Sequence, residues 1–359
     1  MRAAQLLVLA WLQIVCCSAN SDVSYPPVTP EHRIELPGDE GAHPEFRTEW
    51  WYVTGWLERT SGEPLGFQIT FFRTRPGTQE DNPSKFAARQ VLFAHAALSD
   101  PRRGRLLLGE RAARAGFGLA EAAEGSLDVA IDDWSLRRTG EQRYQAAATA
   151  SEFGFDLSLQ VQQPPLLNGR SGFSQKSADA ANASYYYSVP QLQVSGTVNV
   201  GKERVAVTGT AWLDHEWSTA FLDPRAQGWD WIGLNLDDGG ALMASRIRRA
   251  DGTALWSFAS LRESSDAATQ TFEGDAITWT PGRSWRSVRT GIAYPVEWTV
   301  QVGGRNIRLV PLMDDQESDT RSSTGTIYWE GAVRALDEHN QAIGRGYLEL
   351  TGYGARLKM

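Results

Sequence analysis

The sequence predicts an all-β protein made of two consecutive barrel or sandwich domains. Three observations carry that expectation. Strand-like runs bounded by Gly, Asn and Asp turns recur about every ten residues, with almost no helical periodicity. The chain holds 14 tryptophans in 359 residues, and aromatic side chains favour half-buried pleated surfaces and lined cavities. The end of the first half is echoed at the end of the chain. Gly209-Thr210-Ala211-Trp212-Leu213-Asp214 aligns with Gly344-Arg345-Gly346-Tyr347-Leu348-Glu349, each in a closing hairpin. The repeat divides the chain into residues 41–222 and 223–359, with the boundary near Phe221 to Ala226.

The first residues, MRAAQLLVLAWLQIVCCSAN, have a positive start at Arg2 and an apolar core from Leu6 to Val15. That core is too short to span a membrane and reads as a secretory signal over residues 1–19. Two processing outcomes compete. Ile14-Val15-Cys16-Cys17 is similar to a bacterial lipobox, with cleavage before Cys17 and a lipid on Cys17. Cys17-Ser18-Ala19 instead offers small residues for ordinary cleavage. Either outcome predicts an exported, periplasmic protein, and membrane contact arises only through the lipid. Both cysteines lie in this segment, so the mature domains have no disulfide and no cysteine metal site. Net charge is -8 without a basic block, which argues against nucleic acid as a partner.

Residues 20–40 are polar and proline-marked and read as a linker. PEFRTEWWYVTGWLE is aromatic on both faces, the pattern of a strand covered on both sides. PLGFQITFFRTRPG follows the turn at Ser61-Gly62, and QVLFAHAALSD is the next strand. The Arg-, Leu- and Ala-rich stretch from Arg102 to Phe117 is the one place where helix is expected. Strands resume at SLDVAIDDWSLRR and FGFDLSLQVQQPPLL. A Gly- and Ser-rich loop, Asn168 to Ala183, leads to YYYSVPQLQVSGTVNV. Gly201-Lys202 then turns the chain into RVAVTGTAWLDHEW. The second domain opens with QGWDWIGLNLDDGG, turned by Asp238-Gly239, and continues in short strands to the closing hairpin.

The densest chemistry lies in GTAWLDHEWS. On a strand, Leu213, His215 and Trp217 share one face, and Trp212, Asp214 and Glu216 share the other. The second repeat has Leu350 and Gly352 where the first has His215 and Trp217, so those two residues mark an addition to a structural strand. A buried neutral imidazole is a serviceable base, and a core histidine held by a backbone carbonyl is the plain alternative. Trp229, Trp231, Asn235 and Asp237 share a face in the next hairpin, making Asp237 the candidate acid. Arg47 and Glu49 are candidates for a buried ion pair. A metal would require His43, Glu49, His95 and His215 to gather. No short ligand spacing supports that, and no metal is expected. Nucleophile elbow, phosphate loop and dinucleotide fingerprint are all missing from the sequence.

HPEFRTEWWYVTGWL, GFQITFFRTR, FAHAALSD, TAWLDHEWS and GWDWIGLNLDDG resemble the AttH-like and carotenoid 1,2-hydratase-like family over nearly all of the mature chain. The resemblance implies two lipocalin-like domains and a pocket for an extended hydrophobic ligand. Trp51, Tyr52, His95, Trp229, Trp231 and Asn235 are candidates to line it. The family includes hydratases of isoprenoid double bonds, cyclases, and exported members that accompany ABC transporter components. Its hydratase branch uses a His-x-Trp pair with a downstream Tyr and Asp. His215-Glu216-Trp217 matches the pair, but Asn235-x-Asp237 lacks the tyrosine. The resulting expectation is a cofactor-free exported protein that binds an extended lipid- or isoprenoid-like molecule and serves an ABC transport system. The alternative is a hydratase or cyclase using His215, Trp217 and Asp237.

Overall fold

The computed structural model describes residues 23–78 and 80–357, and the predicted signal with Cys17 lies outside the described residues. The first half contains β1 (Thr48–Arg59), β2 (Pro64–Thr74), β3 (Val91–Asp100), β4 (Arg105–Arg114), β5 (Ala120–Ala122), β6 (Asp128–Ile131), β7 (Trp134–Gly140), β8 (Arg143–Thr149), β9 (Phe153–Gln160), β10 (Leu166–Leu167), β11 (Phe173–Gln175), β12 (Ala183–Val200) and β13 (Glu203–Ser218). The second half contains β14 (Gly228–Leu236), β15 (Ala241–Arg248), β16 (Ala254–Arg262), β17 (Gln270–Glu273), β18 (Thr278–Pro281), β19 (Ser284–Arg286), β20 (Ala293–Pro295), β21 (Trp298–Val302), β22 (Arg305–Pro311), β23 (Glu317–Thr320), β24 (Thr326–Leu336) and β25 (Ala342–Leu350).

Both halves are wound alike. The first sheet runs β4-β3-β2-β1-β13-β12-β9-β8-β7-β6-β5 and curls into a nearly closed barrel. The second runs β17-β16-β15-β14-β25-β24-β22-β21-β18 and forms a half-barrel, with β19 and β20 as a separate ribbon. In each, the first strand pairs with the last, β1 with β13 and β14 with β25. The repeat read from the sequence is therefore a repeat of closing strands. The turn glycines sit where predicted, with positive φ at Gly62, Gly201 and Gly239.

Alternation divides the side chains of the closing strands between two cores. Glu49, Trp51, Val53, Leu213, His215 and Trp217 face the interior of the first barrel. Tyr52, Trp56 and Trp212 face outward and meet Trp231, Met243, Ala332 and Tyr347 of the second domain in a third core between the barrels. The domains are bonded across it. Trp56 Nε1 donates to Gly346 O at 2.9 Å, and Gln68 Nε2 donates to Glu330 Oε2 at 2.7 Å.

Two expectations change. The Arg102–Phe117 stretch is not helical, because β4 pairs along its length with β3, His95 opposite Glu110. Tertiary pairing overrides a composition that favours helix. Residues 23–40 are not a loose linker, because they pack along the first barrel. Thr29 N donates to Tyr185 Oη at 2.8 Å, Thr219 Oγ1 donates to Pro26 O at 2.6 Å, and Glu40 is buried beside Arg138 and Tyr144.

Gly66 marks how closely the domains approach. A Cβ there would stand 2.7 Å from Tyr347 Oη and 2.8 Å from Ala332 Cβ. Gly66→Ala is expected to wedge the third core and cost about 1–3 kcal/mol. Denaturant unfolding of the two proteins checks it; an unchanged midpoint would show that the seam yields freely.

Candidate functional site

His215 and Trp217 lie inside the first barrel, in a hub centred on Glu49. Glu49 has no exposed atom and accepts four donors. These are His43 Nδ1 at 2.7 Å, His43 N at 2.9 Å, His215 Nε2 at 2.9 Å and Arg73 Nε at 2.7 Å. Arg73 also caps the carbonyls of His43 and Phe46. The ion pair expected between Arg47 and Glu49 is made by Arg73 instead, from the neighbouring strand β2. Because the carboxylate only accepts, His215 carries its proton on Nε2, and Nδ1 accepts from Tyr187 Oη at 3.2 Å. Burial keeps His215 neutral by lowering its pKa. Burial also opposes charge on His43, but bonds to Asp39 and Glu49 win and raise it to about 9. Trp217 stacks flat on the His43 ring, with centroids 3.9 Å apart. Trp51 stacks on His215 at 4.8 Å.

The opposite faces of the same strands enclose a different site. Between the barrels lies a chamber of about 80 Å³. Its walls include Tyr52, Trp50, Trp229, Trp231, Phe221 and Phe258. Four carboxyl groups also face it, the buried Asp214, Glu216 and Glu330 and the half-buried Glu349. Glu330 on β24 and Glu349 on β25 are directly paired across the strands. Glu330 accepts from Gln68 at Oε2, and the Tyr52 hydroxyl beside it is a weaker donor that favours its charged form. Glu349 receives Trp229 Nε1 at 2.9 Å. Burial and the charge of Glu349 push Glu330 well up, while burial and the charges of Asp214 and Glu216 push Glu349 up to about 7. Asp214 accepts from Tyr186, Ser188 and Trp212, yet burial pushes it up to about 7. Glu216 pairs with Lys176 at 2.7 Å.

The chamber opens into an apolar cleft of about 800 Å³, within the usual range of small-molecule sites. Phe72, Phe221, Trp229, Tyr328 and Glu349 line both spaces. In the cleft wall, Tyr328 Oη meets His95 Nδ1 at 2.9 Å, and His95 Nε2 meets Ser323 Oγ at 2.9 Å. Ser323 donates to Glu110 at 2.6 Å. Burial lowers His95 to about 4, so it is neutral and links two hydroxyl groups.

The candidates from the sequence therefore separate. Tyr52, Trp229 and Trp231 line the chamber, and His95 lines the cleft. Trp51 belongs to the Glu49 hub. Asn235 is a domain tie, accepting from Gln191 N at 2.8 Å and donating to Ala211 O at 3.1 Å. Asp237 is exposed in the turn after β14, where its amide bonds Ile343 O. It borders a polar surface groove and does not join His215 and Trp217. The proposed trio is thus not assembled. Asp214 and Glu216 were visible in the motif but lie on its other face. Lys176, Glu330, Glu349 and Tyr328 were missed. The repeat held the signal for Glu349, because it aligns that residue with Asp214.

Among the described residues, His43, Glu49 and His215 form the one trio spaced for a metal, with ligand atoms within 4.8 Å of one another. His95 faces the cleft and is not part of it. Four donors already saturate Glu49, and a metal would have to displace both imidazole N–H bonds. The trio fits a hydrogen-bond hub better than a metal centre.

A nearly closed lipocalin-like barrel packed on a half-barrel around a shared acidic chamber defines the class of protein. The chain belongs to the AttH-like family, which it matches over residues 27–353. The crystal structure of a protein assigned as AttH from Nitrosomonas europaea is 51% identical, with a TM-score of 0.85 over 91% of this chain and 99% of that one. Kievitone hydratase from Nectria haematococca shares the fold at 16% identity, with a TM-score of 0.68 over 93% of this chain and 97% of that one. No curated protein matches the chain in sequence.

The hub makes stability depend on pH. His43 is raised in the folded state, so its contribution is complete below about 6.5 and is lost as pH rises through about 9. Glu49 is depressed, so its contribution is present above the ordinary glutamate range and lost in strong acid. Chemical denaturation between pH 6 and about 10 should show a loss of roughly 1–3 kcal/mol that His43→Gln flattens. Glu49→Gln strands two buried cations and should cost about 3–5 kcal/mol at neutral pH. An unaltered pH profile in the His43 variant would remove the hub from this account.

Proposed function

We propose that the protein is a cofactor-free acid–base catalyst of the hydratase or cyclase type. It acts on an extended apolar molecule with a carbon–carbon double bond. The pairing of Glu330 with Glu349 on the chamber wall is the observation that carries this reading. A buried carboxyl group facing a second one across the strands resists ionising beside it, so Glu330 holds a proton at neutral pH. A site that merely held an apolar ligand would gain nothing from four carboxyl groups, each costly to bury. Fold kinship with a protein named kievitone hydratase lends support.

The ligand's body lies in the cleft and its unsaturated end enters the chamber. The protonated member of the pair gives its proton to the double bond, and the π electrons form the new C–H bond. The cation left behind faces Trp229, Trp231 and the remaining carboxylates. Water adds to it, and the excess proton passes to a carboxylate. In the cyclase variant a second double bond of the ligand takes the place of water. The Tyr328–His95–Ser323–Glu110 chain offers protons a route through the wall when an apolar ligand fills the cleft. The large apolar cleft also supports the simpler reading of a hydrophobic-ligand carrier. Export and a transporter partnership rest on the leader and the resemblance alone.

Purified protein incubated with acyclic isoprenoids in ¹⁸O-labelled water, followed by mass spectrometry, tests the reading. Labelled alcohol or a cyclised isomer is expected. Glu330→Gln and Glu349→Gln should each slow product formation by about 10²-fold or more. The rate should rise as pH passes about 7, where Glu349 becomes the carboxylate that takes the excess proton, and fall only where Glu330 loses its own. Raised carboxyl groups bind more protons folded than unfolded, so they weaken the fold as pH rises above the ordinary glutamate range. Glu330→Gln should therefore unfold at an equal or higher temperature than the parent protein at pH 8. Absence of any product across the panel, with ligand still bound, would leave the carrier reading.

A further inference from the structure

Lys176 is the cation on the chamber wall, and the acid–base reading leaves it unused. It sits just after β11 in a loop fixed by its own bonds, with Lys176 N donating to Asn182 O at 2.8 Å. Its side chain is 1% exposed and enters the chamber. Nζ lies 2.7 Å from Glu216 Oε1 and 2.9 Å from Ser174 Oγ. Three rings box it: Phe258 at 4.3 Å, Tyr186 at 4.9 Å and Phe221 at 5.3 Å from their centroids. A guanidinium is more weakly hydrated and would serve Glu216 as a counter-ion at lower desolvation cost. What lysine adds is a nucleophilic nitrogen at the inner end of an apolar cleft.

We propose that the chamber captures the carbonyl end of an extended apolar aldehyde or ketone as an imine on Lys176. The proposal rests on the reading above only in taking the cleft as the seat of an apolar ligand. The amine lone pair attacks the carbonyl carbon, and the C=O π pair moves to oxygen. The carbinolamine loses its oxygen as water, and the nitrogen lone pair forms the C=N bond. Glu216 takes a proton from the ammonium to free the amine and returns it in the dehydration, so overall aldehyde and ammonium give iminium and one water. The resting pair and the product are each one cation beside one anion, so capture adds no buried charge. The three ring faces and Glu216 that now surround the ammonium would surround the iminium equally well. Burial lowers the lysine pKa and raises that of Glu216, which increases the share of free amine beside a ready acid.

The sequence makes the test clean, because it has four lysines: Lys85, Lys176, Lys202 and Lys358. The full chain is incubated with farnesal and sodium cyanoborohydride, and the reduced adduct is located by peptide mass spectrometry. Lys176 is expected to be labelled at least tenfold more than the exposed Lys85 and Lys202. Excess farnesol should compete, with its binding to the parent protein read by tryptophan fluorescence, and Lys176→Arg should abolish the adduct. Labelling of Lys176 no greater than that of Lys85 and Lys202, or none at all, overturns the proposal. If farnesol still binds in that case, the apolar-ligand reading of the cleft stands without it. If farnesol does not bind, both fall.

Discussion

The structure depends on strands that are covered on both faces. β1, β12, β13, β14, β15, β16, β24 and β25 each contribute to a barrel interior with one set of side chains and to the inter-domain core with the other. Period-two alternation then decides everything about the site. Trp51 and Tyr52 are neighbours in sequence, yet one stacks on His215 inside the first barrel and the other lines the chamber. A shift of one residue in the β1–β13 register would exchange the two environments.

This constraint explains what the sequence reveals and what it hides. The all-β architecture was legible because turn residues and strand runs are local signals. The repeat was legible because closing strands must resemble one another. Aromatic residues on both faces of the first strand correctly indicated double coverage. Which face belongs to which cavity was not legible, because alternation gives two sets without saying what covers each. His215 drew attention as a rare residue among acids, but its face is the one sealed by Glu49, Trp51 and Trp217. Asp214 and Glu216, on the alternate face, reach the chamber. Glu330 and Lys176 had no local signal, since their significance comes from strand pairing and loop packing far along the chain. The helix expected after Arg102 failed for the same reason.

The two halves are copies in winding but not in chemistry. Register places Tyr52 opposite Asp214 and Trp231 opposite Glu349. Ser188 faces Asp214 across β12 and β13, whereas Glu330 faces Glu349 across β24 and β25. The same framework thus carries an acid bonded by a hydroxyl in one half and an acid beside an acid in the other. The first arrangement is satisfied and self-contained. The second sets two carboxyl groups against each other with only neutral donors on Glu330.

Carboxyl groups of similar burial follow opposite courses here, and the count of donors and cations decides which. Glu49 has four donors, two of them on charged groups, and stays ionised far below the ordinary range. Glu216 has one cation and one hydroxyl, and burial still wins. Asp214 has three neutral donors and rises to about 7. Glu330 has only neutral donors and a like charge beside it, and it is pushed well up. Partners therefore divide the buried acids into structural and chemical ones, where burial alone would treat them alike. Glu49 is fixed by its partners and holds the N-terminal segment to the barrel. Glu330 and Glu349 lack such partners, and this leaves them able to hold a proton and give it up.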